Sequence, residues 1–267
     1  MTTDAHEAAR AAEASPVVQA FARSGYAANG AVHVLVGILA LIVAFGGDGE
    51  TDQAGAFKAI GAVPFGFVVL WAIAIALWAL ALWHAIEGLL ARRDSSIKKW
   101  GVRVSEWGQT LIFLCLGLIA ASVALGAKPD ADEAAQAVSR GVLVIPGGVF
   151  VLGATGLGIA IGGIAFVVMG MRRSFENKMT IPDDALGNGV KTLGIAGFVA
   201  KGVALLILGI LLLVAAARGE ASAAGGLDAA IDALLAVPSG PWFVGAIGAG
   251  LIIYGVFCGF RAKYADL

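Results

Sequence analysis

Charged residues are scarce in this chain. Only 14% of its 267 residues are charged, whereas 59% are hydrophobic, and the mean hydropathy is +0.89. Because a soluble domain normally carries about 25% charged residues, this composition excludes an ordinary water-soluble protein. The net charge of −1 offers no basic surface for nucleic acid, so we expect no nucleic-acid partner.

Cysteine is rare, and the motifs of soluble enzymes are missing. The two cysteines, Cys115 and Cys258, lie in apolar runs and give neither a disulfide framework nor paired metal ligands. The chain contains no phosphate-binding loop, no GxSxG elbow and no HExxH motif. We therefore expect that the protein is not an enzyme and that it carries no cofactor or metal ion.

Long apolar runs are what the chain has in abundance. An apolar run of about 18 residues or more is long enough to cross a hydrocarbon core, and we place six such spans at 25–46, 64–91, 105–127, 147–171, 190–217 and 240–261. Each pair of spans is joined by a shorter segment with apolar residues at helical spacing, followed by a proline. The predicted fold class is an all-α polytopic membrane protein with six transmembrane helices and three amphipathic surface helices.

Basic residues mark one side of the predicted membrane protein. They follow the second and fourth spans, at Arg92, Arg93, Lys98, Lys99, Arg103, Arg172, Arg173, Lys178 and Lys191. The three alternate loops are acidic instead. Because cytoplasmic loops retain lysine and arginine, we predict that both termini, including a polar tail over 1–20, are cytoplasmic.

Three stretches of the chain align as copies of one unit: "RSGYAANGAVHVLVG", "RVSEWGQTLIFLCLG" and "IAGFVAKGVALLILG". The alignment superimposes the glycines Gly37, Gly117 and Gly209, and it superimposes the polar residues Asn29, Gln109 and Lys201. Each unit is a span, a surface helix and a second span, and we place the repeats at 21–93, 98–173 and 190–264. Since a two-span unit begins and ends on the same side, the three copies share one orientation.

The third copy carries a more specific signal. Its segments "GGLDAAIDALLAVPSGPW" and "YGVFCGFRAKYADL" resemble a bacterial, mostly actinobacterial, membrane family catalogued as domain of unknown function 1206. The resemblance implies three two-span repeats over nearly the whole chain and a multi-pass protein of the bacterial cytoplasmic (inner) membrane. It implies no activity, cofactor or catalytic residue. "FRAKY" stands where the family has an end like A-R-Y-R.

Seven polar side chains inside the spans form the candidate site: Asn29, His33, His84, Glu87, Glu106, Gln109 and Lys201. The helical rise places all of them in the cytoplasmic half, with His33 about 15 Å beyond Arg23. An ionisable group in a span is a functional hypothesis, because its burial in lipid is expensive. If the copies pack around a pseudo-threefold axis, the repeat positions 29, 109 and 201 form one ring.

Two interpretations of these side chains stay open. Hydrogen bonds between helices explain them without a ligand, with Lys201 paired to Glu87 or Glu106, and we favour this structural role over a ligand or proton site. A metal site built from His33, His84 and Glu87 suits a divalent cation. We disfavour it, because nothing in the sequence brings these residues together at one depth.

Glycines four residues apart suggest close helix packing. The pairs are Gly158 with Gly162 and Gly255 with Gly259, and we predict that they form contacts inside the protein or in an oligomer. Two functions are therefore considered. The first is a small carrier or ligand-binding protein with a polar pocket in the cytoplasmic half of the bilayer. The second is an accessory protein that assembles with a partner protein or as a homo-oligomer through glycine-rich helices.

Overall fold

The computed structural model describes residues 3–91, 96–221 and 224–267. The α-helices in these ranges are α1 (Thr3–Glu13), α2 (Pro16–Ala44), α3 (Gln53–Gly61), α4 (Gly66–Leu90), α5 (Ser96–Ala124), α6 (Ala131–Val144), α7 (Gly148–Met171), α8 (Ala185–Arg218), α9 (Leu227–Leu235) and α10 (Gly240–Tyr264). A 3₁₀ segment, Ser174–Lys178, links α7 to α8. Arg92 and Arg93, which include the predicted end of repeat 1, lie outside the described residues.

Six helices are long and apolar enough to cross a membrane: α2, α4, α5, α7, α8 and α10. They confirm the six predicted spans and the all-α fold class. Helices α2, α5 and α8 begin earlier than predicted, at Pro16, Ser96 and Ala185, because the helical backbone continues into polar residues beyond the apolar run. The polar tail also forms a helix, α1, which packs against α4.

The outer surface of the bundle is covered with large apolar side chains. Examples on different spans are Ile75 at 49% exposure, Leu111 at 63% and Phe150 at 82%. A water-soluble monomer rarely exposes continuous apolar surface of this kind. The protein is therefore a multi-pass membrane protein whose outer surface contacts the lipid bilayer.

The three predicted surface helices are present as α3, α6 and α9. Asp52 caps α3 through the Gly55 amide at 2.7 Å, and Asp130 caps α6 through the Glu133 amide at 2.9 Å. Phe57 of α3 is fully buried against the spans. These helices close the end of the bundle opposite the termini, which we call the loop end. The end that holds both termini and the 3₁₀ segment is called the termini end.

The backbone repeats with the sequence at the start of each second span. The residue after each proline adopts a left-handed conformation: Phe65 (φ 62°), Gly147 (φ 79°) and Ser239 (φ 66°). The next residue is glycine in every copy. A Cβ atom at Gly66 would collide with the carbonyl oxygen of Ile60, and Gly148 and Gly240 meet the equivalent carbonyls. The tight turn therefore requires glycine at that position.

The three copies pack cyclically. The first span of each copy packs most extensively on the second span of the copy before it, which pairs α2 with α10, α5 with α4 and α8 with α7. Gly30 and Gly255 face each other in the first pair, and Gly202 and Gly163, which occupy the equivalent positions, face each other in the third. The two spans of repeat 1 pack on each other, and so do those of repeat 3. Within the described ranges α5 and α7, the two spans of repeat 2, do not pack on each other in this way.

Candidate functional site: two polar clusters at the termini end

The first cluster, the Lys201 cluster, consists of Asn29, His33, Lys201, Tyr254 and Cys258, on α2, α8 and α10. Lys201 Nζ donates to the Tyr254 hydroxyl at 3.3 Å and lies 4.4 Å from the centre of that ring. His33 packs edge-on to Tyr254, with ring centroids 4.9 Å apart, and its Nδ1 lies 2.8 Å from the Asn29 carbonyl. The Asn29 amide faces the Cys258 sulfur at 3.6 Å.

Aromatic rings surround the ammonium group of Lys201. Besides Tyr254, the ring of Phe166 on α7 lies 5.2 Å from Nζ. Phe198 stacks on Phe166 at 5.5 Å and meets Tyr254 at 5.6 Å. Each cation–π contact contributes roughly 0.5–2 kcal/mol, which offsets part of the cost of holding an ammonium inside the bundle.

The second cluster, the His84 cluster, consists of His84, Glu87, Glu106 and Lys178. His84 Nδ1 lies 2.6 Å from Glu106 Oε2, and the imidazole stacks on Phe113 with centroids 5.4 Å apart. Lys178 Nζ bridges the two carboxylates, at 3.0 Å from Glu106 and 3.2 Å from Glu87. Burial by itself would lower the pKa of Lys178, but the carboxylates of Glu87 and Glu106 outweigh it and raise that pKa above its ordinary value.

Lys178 reaches this cluster because the 3₁₀ segment is anchored on both sides. Phe175 is buried against Phe198 and Phe257, with ring centroids 5.3 and 5.1 Å away. The C-terminal tail holds the other side: the Asp266 amide donates to the Lys178 carbonyl at 3.1 Å. The backbone of Lys178 is thereby fixed, and only its flexible side chain extends toward the carboxylates.

Tyr26 and Arg261 extend the His84 cluster toward α10, which also carries Tyr254 and Cys258 of the Lys201 cluster. The Arg261 guanidinium lies 4.4 Å from the centre of the Tyr26 ring and donates to its hydroxyl at 3.3 Å. Tyr26 in turn meets His84 edge-on, with centroids 6.2 Å apart. Polar and aromatic contacts therefore run from α5 through α4 and α2 to α10 at the termini end.

The repeat relates three equivalent interfaces with different chemistry. In the α4–α5 interface the equivalent positions hold His84, Glu87 and Glu106. The same positions hold Cys258, Arg261 and Tyr26 in the α10–α2 interface. In the α7–α8 interface they hold Phe166, Met169 and Phe198. One interface is ionic, one is a cation–π contact, and one is an apolar stack. The fold tolerates all three, so the ionic set is not required for packing.

The structure brings six of the seven predicted polar residues into these clusters. The seventh, Gln109, is partly exposed and makes no hydrogen bond to any described residue. The predicted pairing of Lys201 with Glu87 or Glu106 is wrong: Lys178 takes those carboxylates, and Lys201 contacts Tyr254 instead. Sequence reasoning missed Lys178 because it lies in a linker between spans.

The set of metal ligands considered from the sequence was His33, His84 and Glu87. In the structure Glu106, not His33, lies beside His84 and Glu87.

The glycine prediction needs a correction for three of its four residues. Only Gly255 packs inside the protein, where its Cα faces the Gly30 carbonyl. A Cβ added at Gly158, Gly162 or Gly259 would have no neighbouring atom within 4 Å. These three therefore make no close helix contact within the described chain, because α7 and α10 are rotated so that other glycines face their partners. Their role in an oligomer stays a prediction.

Carboxylates also gather at the loop end, where the surface helices meet. Asp228 accepts from the Thr51 amide at 2.5 Å, and Asp132 accepts from the Gly226 amide at 2.5 Å. Burial raises the pKa of Asp52 to about 6, the Gly55 amide opposes this rise, and the neighbouring carboxylates, of which Asp228 is the strongest, add to it. These acids tie the three surface helices together.

Comparison with known proteins agrees with the repeat. The family described as Domain of Unknown Function (DUF1206) matches residues 24–91, 107–173 and 196–265. The chain belongs to this family. The three matched segments of DUF1206 each cover most of the first span and all of the second span of one copy, as the resemblance in the third copy implied.

One relative of this DUF1206 protein extends over almost the same length. It is a protein of Bacillus subtilis (strain 168) described as uncharacterized protein YxxB, 26% identical over 262 residues, which cover 96% of this chain and 94% of the relative. No solved structure matches the chain. The function must therefore be argued from the site itself.

Proposed function

We propose that this protein is a small carrier or ligand-binding membrane protein, without enzymatic activity, whose ligand binds at the Lys201 cluster. The observation that supports it most is the environment of Lys201. A lysine inside a span costs about 3 kcal/mol on insertion scales, and within the described residues no carboxylate lies within 4 Å of its ammonium. Neutral aromatic groups surround it instead, so a ligand with an acidic group, such as a carboxylate or phosphate, complements the site.

The distribution of polar groups favours a pocket that opens toward one face over a continuous pore. Both clusters lie at the termini end, whereas the other half of the bundle is filled by apolar side chains such as Leu70, Leu77 and Val123. Phe57 of α3 covers that end. A water-filled pore needs a polar lining along its whole length. Ligand exchange therefore takes place from the termini end.

We propose that the termini end faces the cytoplasm of a bacterial cell and that the protein lies in the inner membrane. Lysine and arginine concentrate in the linkers of that end, which is the arrangement of cytoplasmic loops. Arg23 adds to this concentration: its guanidinium donates to the carbonyls of Ala262 and Lys263 at 3.0 and 2.9 Å, at the end of α10.

An accessory role in a larger assembly is the second candidate. The observation in its favour is that Gly158 and Gly162 lie on one outward face of α7. A Cβ atom added at either residue would have no neighbouring atom within 4 Å. Glycines four residues apart on a lipid-facing surface suit close approach of another membrane helix. This face is available to a second copy or to another membrane protein.

Native mass spectrometry of the full-length protein released from mild detergent tests both candidates. We expect the wild type to retain a small acidic molecule or anionic lipid, and Lys201→Met and His33→Leu to release it. Lys191→Met is the matched control, because Lys191 lies on the same helix but pairs with the exposed Asp183 at 3.6 Å. A bare monomer, or retention that is equal in all variants, would contradict the pocket. A protein bound in place of a small molecule would favour the accessory role.

A further inference from the structure

Three potential ligands for a cation meet in the His84 cluster. His84 and Glu87 are three residues apart on α4, which places them on one face of that helix. Glu106 reaches the same place from α5. One ligand atom from each of the three residues lies within 4.8 Å of the other two. An imidazole nitrogen with two carboxylate oxygens is a donor set for a divalent first-row metal ion.

A cationic group already lies at this position. The Lys178 ammonium contacts Glu106 at 3.0 Å and Glu87 at 3.2 Å. It is a monovalent group on a flexible four-carbon chain, and 47% of its side-chain surface is exposed. Phe175 anchors the backbone of the 3₁₀ segment. The exposed side chain of Lys178 can still rotate away from the carboxylates while that backbone stays in place.

Packing of the helices does not account for the cluster. The equivalent positions in the α7–α8 interface are Phe166, Met169 and Phe198, which pack as an apolar group. In addition, His84 Nε2 is buried and has no hydrogen-bond partner among the described residues. The polar contact that His84 does make, to Glu106, is through Nδ1, which is the nitrogen that faces the carboxylates.

We propose that His84, Glu87 and Glu106 bind a divalent metal ion of the Zn²⁺ or Mn²⁺ class, and that the Lys178 ammonium competes with the ion for the two carboxylates. The ion binds His84 through Nδ1, in the tautomer protonated at Nε2, and replaces the hydrogen bond to Glu106. Three protein ligands leave at least one coordination position for water or an exchanging ligand. Glu87, with 26% of its side chain exposed, lies at the opening.

This inference is independent of the proposed pocket at Lys201. None of the three ligands belongs to the Lys201 cluster, so Lys201→Met should leave metal binding unchanged. Conversely, release of an acidic molecule by Lys201→Met would say nothing about the metal. The two proposals therefore fail or hold separately.

Isothermal titration calorimetry tests the site on the full-length protein, purified in mild detergent without a histidine tag and stripped with a chelator. Zn²⁺ or Mn²⁺ is titrated into the wild type and into Lys178→Met, His84→Phe and Lys191→Met. We expect one ion per chain, a Kd about tenfold lower in Lys178→Met because the competing ammonium is gone, and no change in Lys191→Met. His84→Phe, which copies the residue at the equivalent position of repeat 2, should abolish binding.

Two results would overturn the proposal. One is the absence of a bound ion in both the wild type and folded Lys178→Met. The other is equal binding in the wild type and His84→Phe, which would show that metal ions bind elsewhere on the chain. If Lys178→Met lacks the helical circular dichroism of the wild type, the comparison of the wild type with His84→Phe decides the question alone.

Discussion

The close contact between Gly30 and Gly255 makes a sharp prediction about packing. A Cβ added at Gly255 would lie 2.5 Å from the Gly30 carbonyl oxygen and 2.7 Å from Val34 Cγ2. Most real Cβ contacts lie beyond 3.4 Å, so Gly255→Ala forces α2 and α10 apart by about 0.9 Å at this point. Overpacking of this kind costs about 1–3 kcal/mol.

Gly259 on the same helix is the matched control. A Cβ there would have no atom within 4 Å. Both substitutions gain the same helix propensity, about 1 kcal/mol, so their difference isolates the packing cost. We expect Gly255→Ala to be less stable than Gly259→Ala by about 1–3 kcal/mol.

Reversible unfolding in mixed detergent micelles, followed by circular dichroism, measures this difference. Gly30→Ala should resemble Gly255→Ala, because its Cβ would lie 2.5 Å from the Gly255 carbonyl oxygen. The double variant should cost less than the sum of the two, since one separation of the helices accommodates both methyl groups. Equal stabilities of Gly255→Ala and Gly259→Ala would refute the close packing of α2 on α10.

Two further predictions concern the loop end and the orientation. The pKa of Asp52 is raised to about 6, so near pH 5 the folded protein binds a proton that the unfolded chain lacks. Acidification from pH 7 to 5 should therefore stabilise the protein by about 1 kcal/mol. Asp52→Asn keeps the helix cap and should reduce this gain, and an undiminished pH dependence would contradict the assignment to Asp52. In a Cys115→Ala background, Lys128→Cys should react with an impermeant maleimide on intact cells, whereas Lys263→Cys should react only after permeabilisation. The reverse pattern would contradict the cytoplasmic termini.

The pH prediction follows first from the burial of Asp52, which raises its pKa, and then from the carboxylates that face it at the loop end. They are Glu50 in the preceding loop, Asp132 of α6 and Asp228 of α9. Burial also raises the pKa of Asp132 above its ordinary value. For both carboxyl groups the folded state favours the neutral form. The free energy of unfolding therefore rises as pH falls through the raised pKa.

The three equivalent interfaces show how one repeated unit acquires different sites. Gly37, Gly117 and Gly209 each lie against the equivalent position of the neighbouring span, at Ile252, Trp78 and Ala160. The backbone arrangement is thus retained, while the side chains one to two turns away have diverged. Ionic, cation–π and apolar interfaces then coexist in a single bundle, and among the described residues the ionic one alone brings three His and Glu side chains together.

An apolar groove lies on the surface between α8, α9 and α10. A cavity of about 240 Å³ lies between α8, α9 and α10, lined by Ala200, Val203, Ile207, Leu234, Phe243, Ala246 and Ile247. Its lining has almost no polar surface, so it suits a lipid chain and not the acidic group of a ligand. The polar clusters at the termini end are a separate feature of the fold.

The sequence by itself determined the spans, the surface helices and the three copies. Apolar length, helical spacing and the Pro-Gly turns are local properties, and they could be read without knowing which helices touch. It also located the polar residues at one end, because depth along a helix depends only on distance from its basic anchors. The positions of Asn29, His33 and Lys201 could be predicted in this way.

Only the tertiary structure decided which side chains meet. The spans are apolar on all sides, so their sequences do not specify which face turns inward. The choice of Gly255 over Gly259 as a packing residue depends on that rotation about the helix axis. The partner of Glu106 depends on a linker that returns to the bundle, where Phe175 and the C-terminal tail place the ammonium of Lys178 among the carboxylates.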